Sequence, residues 1–310
     1  MGTQALSQIM VLFILMAAGF LCCKLKVVPK EAAQYFSSFG MKVTFPCLII
    51  TSFNRPFSSE LLGEAGTAIF VAFSVYAFAF LIALLYPHIL RMKGPERGVH
   101  RYTIIVSNSV FIGFPVVEAV LGTAYLFHVA LFNLPLFLVG LTAGLWLIAK
   151  ENKTSPSSVL SWKLFVTPPV IATVAGFVMF LFSVSLPAPL QQGISLIGGI
   201  TTPLFMIIIG ISMAQADVRR IFGNGKIYVT VFVRLVAVPF LTALFCLLVG
   251  IRGNLLILAV LISAMPAAST TTVIASVYGV AVEEAGAIVV LSTLLSLATI
   301  PLVMLVLNHV

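Results

Sequence analysis

Between its first and last residues the chain returns repeatedly to strongly apolar runs, separated by short connections that hold most of its charge. A membrane span needs about 20 apolar residues. By that measure ten spans are expected, at about 4–23, 36–54, 63–90, 102–122, 124–149, 163–183, 191–216, 227–250, 254–279 and 285–307. In hydrocarbon every backbone polar group must find its partner inside the protein, which leaves such a chain the choice of helices. The expected fold class is an all-α polytopic membrane protein with ten transmembrane helices. With 61% hydrophobic and 8% charged residues, 310 residues leave no room for a separate soluble domain. The first run lacks a preceding basic segment and is longer than a signal-peptide core, so it is expected to be retained.

The charge that remains is placed unevenly. Thirteen of the 17 Lys and Arg fall in the first, third, fifth and seventh connections: Lys24, Lys26, Lys30; Arg91, Lys93, Arg97, Arg101; Lys150, Lys153, Lys163; Arg219, Arg220, Lys226. The intervening connections hold Arg55 and Arg252, while Lys42 and Arg234 fall inside spans. The positive-inside rule then puts the odd connections in the cytoplasm and both termini outside it, in a plasma (inner) membrane. The net charge of +8 is thereby read as a topology signal, and nucleic acid is not an expected partner. Cys22, Cys23, Cys47 and Cys246 have neither a disulfide pattern nor zinc-ligand spacing.

A shift of 157 residues brings Ala18-Gly19-Phe20 onto Ala175-Gly176-Phe177, Thr44 and Pro46 onto Thr201 and Pro203, and Gly122 onto Gly279. Matches between apolar segments come cheaply, but one ungapped offset pairing proline, glycine and polar residues is harder to obtain by chance. Five spans separate equivalent points, and an odd number forces the second copy to enter the membrane from the opposite face. The expected domains are a first five-helix repeat over 1–149, a cytoplasmic linker over 150–162 and a second, inverted repeat over 163–310. Inverted repeats are the architecture of many secondary transporters, with a site near the bilayer midplane.

Spans four and nine are spoiled near their middles, the first by Asn108, Gly113 and Pro115, the second by Pro266 and the run from Ser269 to Thr272. An interior proline costs a helix about 3 kcal/mol or more, and in lipid broken backbone survives only beside protein or a wet cavity. Pro46 and Pro203 are expected to break spans two and seven at similar depth. The second half of a broken helix presents unpaired N–H groups and about half a positive charge, which suits a carboxylate.

The stretches Asn108-Ser-Val-Phe-Ile-Gly-Phe-Pro115 and Met265-Pro-Ala-Ala268, the Thr44-Phe-Pro46 break and Arg234 upstream of Pro239 together resemble the auxin efflux carrier family of membrane transport proteins. That family includes bacterial malate and malonate permeases and plant auxin carriers, and sits with the bile acid transporters in a superfamily of two inverted five-helix repeats. The resemblance covers essentially the whole chain. It implies broken helices that cross in spans four and nine, an organic anion bound where they meet, and two domains that move against each other. The chain departs from the family pattern at Val110, where a glycine is common, and at Thr270, where an asparagine is common.

The expected substrate-binding residues are Asn108, Gly113, Pro115, Pro266, Ser269, Thr270 and Thr271. Neutral donors and acceptors suit the orientation of a small polar ligand, although Ser and Thr also bond to their own helix backbone. Lys42, Arg234 and Glu118 are the candidates for charge attraction or coupling. An intramembrane charge costs about 2.5–3.5 kcal/mol on insertion scales and is a functional suspect for that reason, yet each of these lies close enough to a membrane face to reach it. The expected partners are a small organic anion (a mono- or dicarboxylate, with auxin-like acids included), the lipid bilayer, a coupling proton or sodium ion, and a second copy of the chain in a homodimer. No cofactor or metal is expected.

An enzyme is disfavoured. The sole aspartate is Asp217, in a loop, no HExxH motif occurs, and the four histidines are scattered over different elements. A transporter by alternating access is the leading expectation, and an anion channel or a transporter-derived sensor of the same fold is its rival.

Overall fold

The computed structural model describes residues 2–92, 94, 96–151, 166–215 and 224–307. Among these the chain is helical throughout and has no strand, only one isolated antiparallel bridge between Ser107 and Ala267. Among the described residues seven helical runs are long and apolar enough to cross a membrane: Ser7–Lys24, Ala32–Phe53, Ser59–Ile89, Thr123–Lys150, Ala188–Ala214, Gly225–Leu248 and Val282–Leu307. Three apolar helices are shorter, Ser109–Leu121, Pro168–Leu181 and Gly253–Ser263. The expected linker beyond Glu151, together with Lys93, Lys153, Lys163, Asp217, Arg219 and Arg220, lies outside the described residues.

Prolines set the local form of several runs. Ala32–Phe39 (α2) and Phe45–Phe53 (α3) are joined by a π-helical turn, Gly40–Thr44, that ends two residues before Pro46. The same device precedes Pro115, with a π turn at Ser109–Gly113 ahead of Phe114–Leu121 (α6). It recurs before Pro239, where Val233–Ala237 joins Gly225–Phe232 (α12) to Val238–Leu248 (α13). Proline has no N–H to give and its ring crowds the carbonyl four residues back; a wider turn just upstream accommodates both defects. Ala188–Gly199 (α10) and Thr201–Ala214 (α11) part instead at Ile200, shortly before Pro203.

By contacts the chain divides into two compact units. The first comprises Met1–Ile69, Val110–Leu134 and Phe165–Gln215. Its main pairing sets Gly2–Lys24 (α1) against α11. Glycines let the two backbones touch: a Cβ added to Gly210 would lie 2.0 Å from the Met16 carbonyl oxygen, and one on Gly19 would lie 2.3 Å from that of Ile207. Pro168–Leu181 (α9) packs on α3 in a related way, with Gly176 against the Phe53 ring. Phe53, Phe127 and Phe180 complete an edge-to-face aromatic core, with Phe53–Phe127 centroids 4.8 Å apart and Phe127–Phe180 centroids 5.1 Å apart.

The second unit comprises Phe70–Ser109, Pro135–Leu164 and Ala216–Val310. It contains most of the 31-residue helix Ser59–Ile89 (α4), all of Glu96–Ile105 (α5), and α12, α13, Gly253–Ser263 (α14), Thr270–Tyr278 (α15) and Val282–Leu307 (α16). Arg101, expected in a connection, sits inside α5 and is buried. Its Nε donates to the Ala83 carbonyl at 3.2 Å and its Nη2 lies 3.3 Å from His88 Nε2, so two of its nitrogens find acceptors inside the protein. Beside it, buried His100 holds Nδ1 at 2.5 Å from Thr230 Oγ1, and Lys226 pairs with Glu96 at 2.5 Å. Asn224 accepts from the Lys226 N–H at 3.1 Å to cap α12 and donates to Glu284 at 2.9 Å.

Candidate functional site

Helices α5 and α14 both stop short inside the second unit, and the segments that follow them meet. The Asn108 N–H donates to the Pro266 carbonyl at 2.8 Å, and the Ala268 N–H donates to the Val106 carbonyl at 3.3 Å. These are the bonds of two short antiparallel extended segments side by side, which is why Ser107 and Ala267 form a bridge. The Ala267 N–H is taken by Ser292 Oγ of α16 at 3.1 Å. Each segment thereby replaces part of the pairing that an unbroken helix would have supplied, as a lipid-embedded break requires. Helix resumes at Ser109 on one segment and at Thr270 on the other.

Arg234 projects from the π turn of the α12–α13 run onto this break. Its Nε donates to Met265 O at 3.0 Å, its Nη1 to Ile104 O at 2.9 Å and its Nη2 to Ser263 O at 2.9 Å. One guanidinium thus ties the ends of α5 and α14 and the unwound stretch after α14. The side chain is 2% exposed, the largest fully buried one among the described residues. Leaving such a charge unpaired in the interior costs several kcal/mol; here the negative C-terminal ends of two helices meet it. The π turn that gives Arg234 its position follows from Pro239 five residues later, so backbone chemistry on one helix aims the cation at the break in two others.

The other expected residues divide between the units. Asn108, Pro266, Ser269, Thr270 and Thr271 accompany Arg234 in the second. Asn108 is 3% exposed; Ser269 and Thr270 are exposed at the start of α15, and Thr271 is buried with a hydroxyl that meets no partner among the described residues. Gly113, Pro115, Glu118, Pro46, Pro203 and Lys42 belong to the first unit. There Gln8, Leu12, Pro115, Glu118, Thr202 and Pro203 help line a cavity of about 630 Å³. Glu118 Oε2 accepts from Thr202 Oγ1 at 2.5 Å across it. Lys42 lies exposed in the π turn before Pro46 and takes no part in that cavity.

Two polar features escape a reading by motif. Thr202 becomes significant only through Glu118, which is remote in sequence. In the same unit His128 Nε2 lies 2.9 Å from Glu64 Oε2, with His128 buried and Glu64 near the start of α4. Arg55 flanks that pair, its guanidinium over the Phe127 ring at 5.3 Å. The available signal was a carboxylate and an imidazole near the beginnings of spans three and five, at matching depth. Among the described residues no group of three or more His, Cys, Asp or Glu is placed to hold a metal ion.

Comparison with known proteins agrees with this architecture. The family described as membrane transport protein matches residues 4–153 and 147–304. A putative malonate transporter of Rhizobium meliloti is 26% identical over 298 residues, covering 93% of this chain and 91% of that protein. An uncharacterized transporter of Methanocaldococcus jannaschii is 22% identical over 301 residues, with 95% and 96% covered. A probable auxin efflux carrier component of Oryza sativa subsp. japonica is 31% identical over 127 residues, 41% of this chain and 34% of that protein. The chain is a multi-pass membrane transporter that belongs to the membrane transport protein family, the family of the auxin efflux carriers.

Proposed function

We propose that the chain is a secondary transporter that moves a small organic anion, a mono- or dicarboxylate, across the plasma membrane by alternating access. The observation that carries this reading is the paired interruption beside Arg234. Helices that restart at Ser109 and Thr270 present N–H groups and positive dipole ends, and a buried guanidinium adds a full positive charge nearby. In this reading Asn108, Ser269, Thr270 and Thr271 orient the ligand, while Gly113, Pro115, Pro266, Pro46 and Pro203 shape the backbone. Lys42 and Glu118 remain candidates for charge attraction and coupling.

The proposal includes ten spans in two inverted five-helix repeats, with both termini outside the cytoplasm and a homodimer as the assembly to test. Support for the repeats comes from the 157-residue offset. The offset pairs Gly19 with Gly176, and both are glycines where one helix of the first unit presses on another. Uptake against an inside-negative potential costs about 2.3 kcal/mol per monovalent charge per 100 mV, so an importer needs a coupling ion or an exchange partner, whereas an exporter does not.

The name of the rhizobial relative makes malonate the first substrate to try. Proteoliposomes loaded with unlabelled malonate should accumulate labelled malonate transiently, and succinate or acetate should compete where malonamide does not. Transient accumulation driven by counter-substrate separates a carrier from a channel. Efficient competition by the neutral amide, with no carboxylate competing, would end the anion assignment.

A further inference from the structure

Arg234 occupies a place that interrupted helices commonly reserve for something else. In transporters with broken helices, unwound carbonyls and the C-terminal ends of half-helices hold the coupling cation. Here Ile104 and Ser263 are at the ends of α5 and α14, and Met265 is in the unwound stretch that follows. All three carbonyls point at one guanidinium, at 2.9, 2.9 and 3.0 Å. Among the described residues no carboxylate lies within ion-pair distance of Arg234; its hydrogen bonds go to backbone oxygen, and the buried Tyr76 phenol is an electrostatic neighbour.

We propose that Arg234 is a tethered cation filling a sodium-type position at the break, so that transport requires no sodium ion there. This rests on the crossing being the anion site, and it deepens that reading in two ways. A bare pair of interrupted helices offers an anion two positive ends but also two negative ones close by. Arg234 cancels the negative ends and leaves the positive ends at Ser109 and Thr270 to the ligand, which fixes its sign. A guanidinium also keeps its proton at any physiological pH, so this cation is neither bound nor released during a cycle. Arg234 acts through the backbone and is a positioning residue.

The test uses the purified full-length protein and no transported substrate. Thermal unfolding is followed in equimolar sodium, potassium and choline chloride. The wild type is expected to unfold at the same temperature in all three; stabilisation specific to sodium overturns the proposal. Arg234→Ala is expected to unfold at a lower temperature and to regain part of the loss with millimolar methylguanidinium or with sodium, but not with choline. A folded Arg234→Ala protein that responds to neither cation also overturns it. Should the alanine variant fail to fold, the wild-type comparison decides alone. Arg234→Lys keeps the charge without the fork and is expected to fall between the two proteins in stability. Absence of malonate counterflow would count against the carrier reading and leave these cation measurements standing.

Discussion

Asn108 and Pro266 are joined main chain to main chain, the N–H of the first to the carbonyl of the second at 2.8 Å. The contact uses no side-chain atom of either residue. The asparagine amide is therefore free of the task of holding the break together, and the backbone geometry does not depend on it.

Replacement of Asn108 by alanine should separate binding from folding. Loss of one ligand hydrogen bond, worth about 1 kcal/mol, raises the half-saturating malonate concentration about five-fold. The unfolding temperature should stay close to that of the wild type. Concentration-dependent counterflow and a thermal melt on the same preparation provide the check.

Ser292→Ala should do the reverse. Its Oγ is the acceptor for the Ala267 N–H at 3.1 Å, and an orphaned buried N–H costs about 1–3 kcal/mol. The variant should lose stability by about that amount in a denaturation series, and Ser292→Thr, which restores an acceptor, should recover most of it.

Glu118 places a carboxylate in the first unit's cavity, held by Thr202 at 2.5 Å. An anion about 4 Å from it would be repelled by roughly 1 kcal/mol in water and 4 kcal/mol near a protein surface. If the transported anion passes through this cavity, Glu118→Gln should lower the half-saturating malonate concentration by at least about five-fold. An unchanged value measured by counterflow would mean that the anion does not pass close to this group.

Gly210→Ala would set a Cβ 2.0 Å from the Met16 carbonyl oxygen. Helices so close have no room to give, and overpacking of this kind costs about 1–3 kcal/mol or more. Gly193→Ala is the control: nothing lies within 4 Å of its added Cβ, and alanine in an exposed helical position gains about 0.5–1 kcal/mol. Thermal melts of the two variants should move in opposite directions.

The helical class and the position of the breaks were legible because both follow from local chemistry. Charge-free runs must become helices in lipid, and Asn108 and Pro266 mark unwound stretches at 106–108 and 264–269. The partners of Arg234 were not legible. Backbone carbonyls carry no sequence signature, and Ile104, Ser263 and Met265 become a set only once α5 and α14 lie side by side. Arg101 was misplaced for a related reason. A basic residue at the edge of an apolar run looks like a loop charge until the carbonyl of Ala83 and the ring of His88 are seen to receive it. The π turns ahead of Pro46, Pro115 and Pro239 lie between these cases: the proline announces a defect, and packing determines its form.

The near-contact of backbones at Gly19 and Gly210 bears on what can move. Two rods touching through main chain, with no side chain between them as a bearing, cannot slip lengthwise. A shift of one residue, about 1.5 Å along the axis, would drive a neighbouring side chain into a carbonyl. The α1–α11 pair therefore behaves as a keyed joint, and the flexibility a carrier needs must be sought in other parts of the chain.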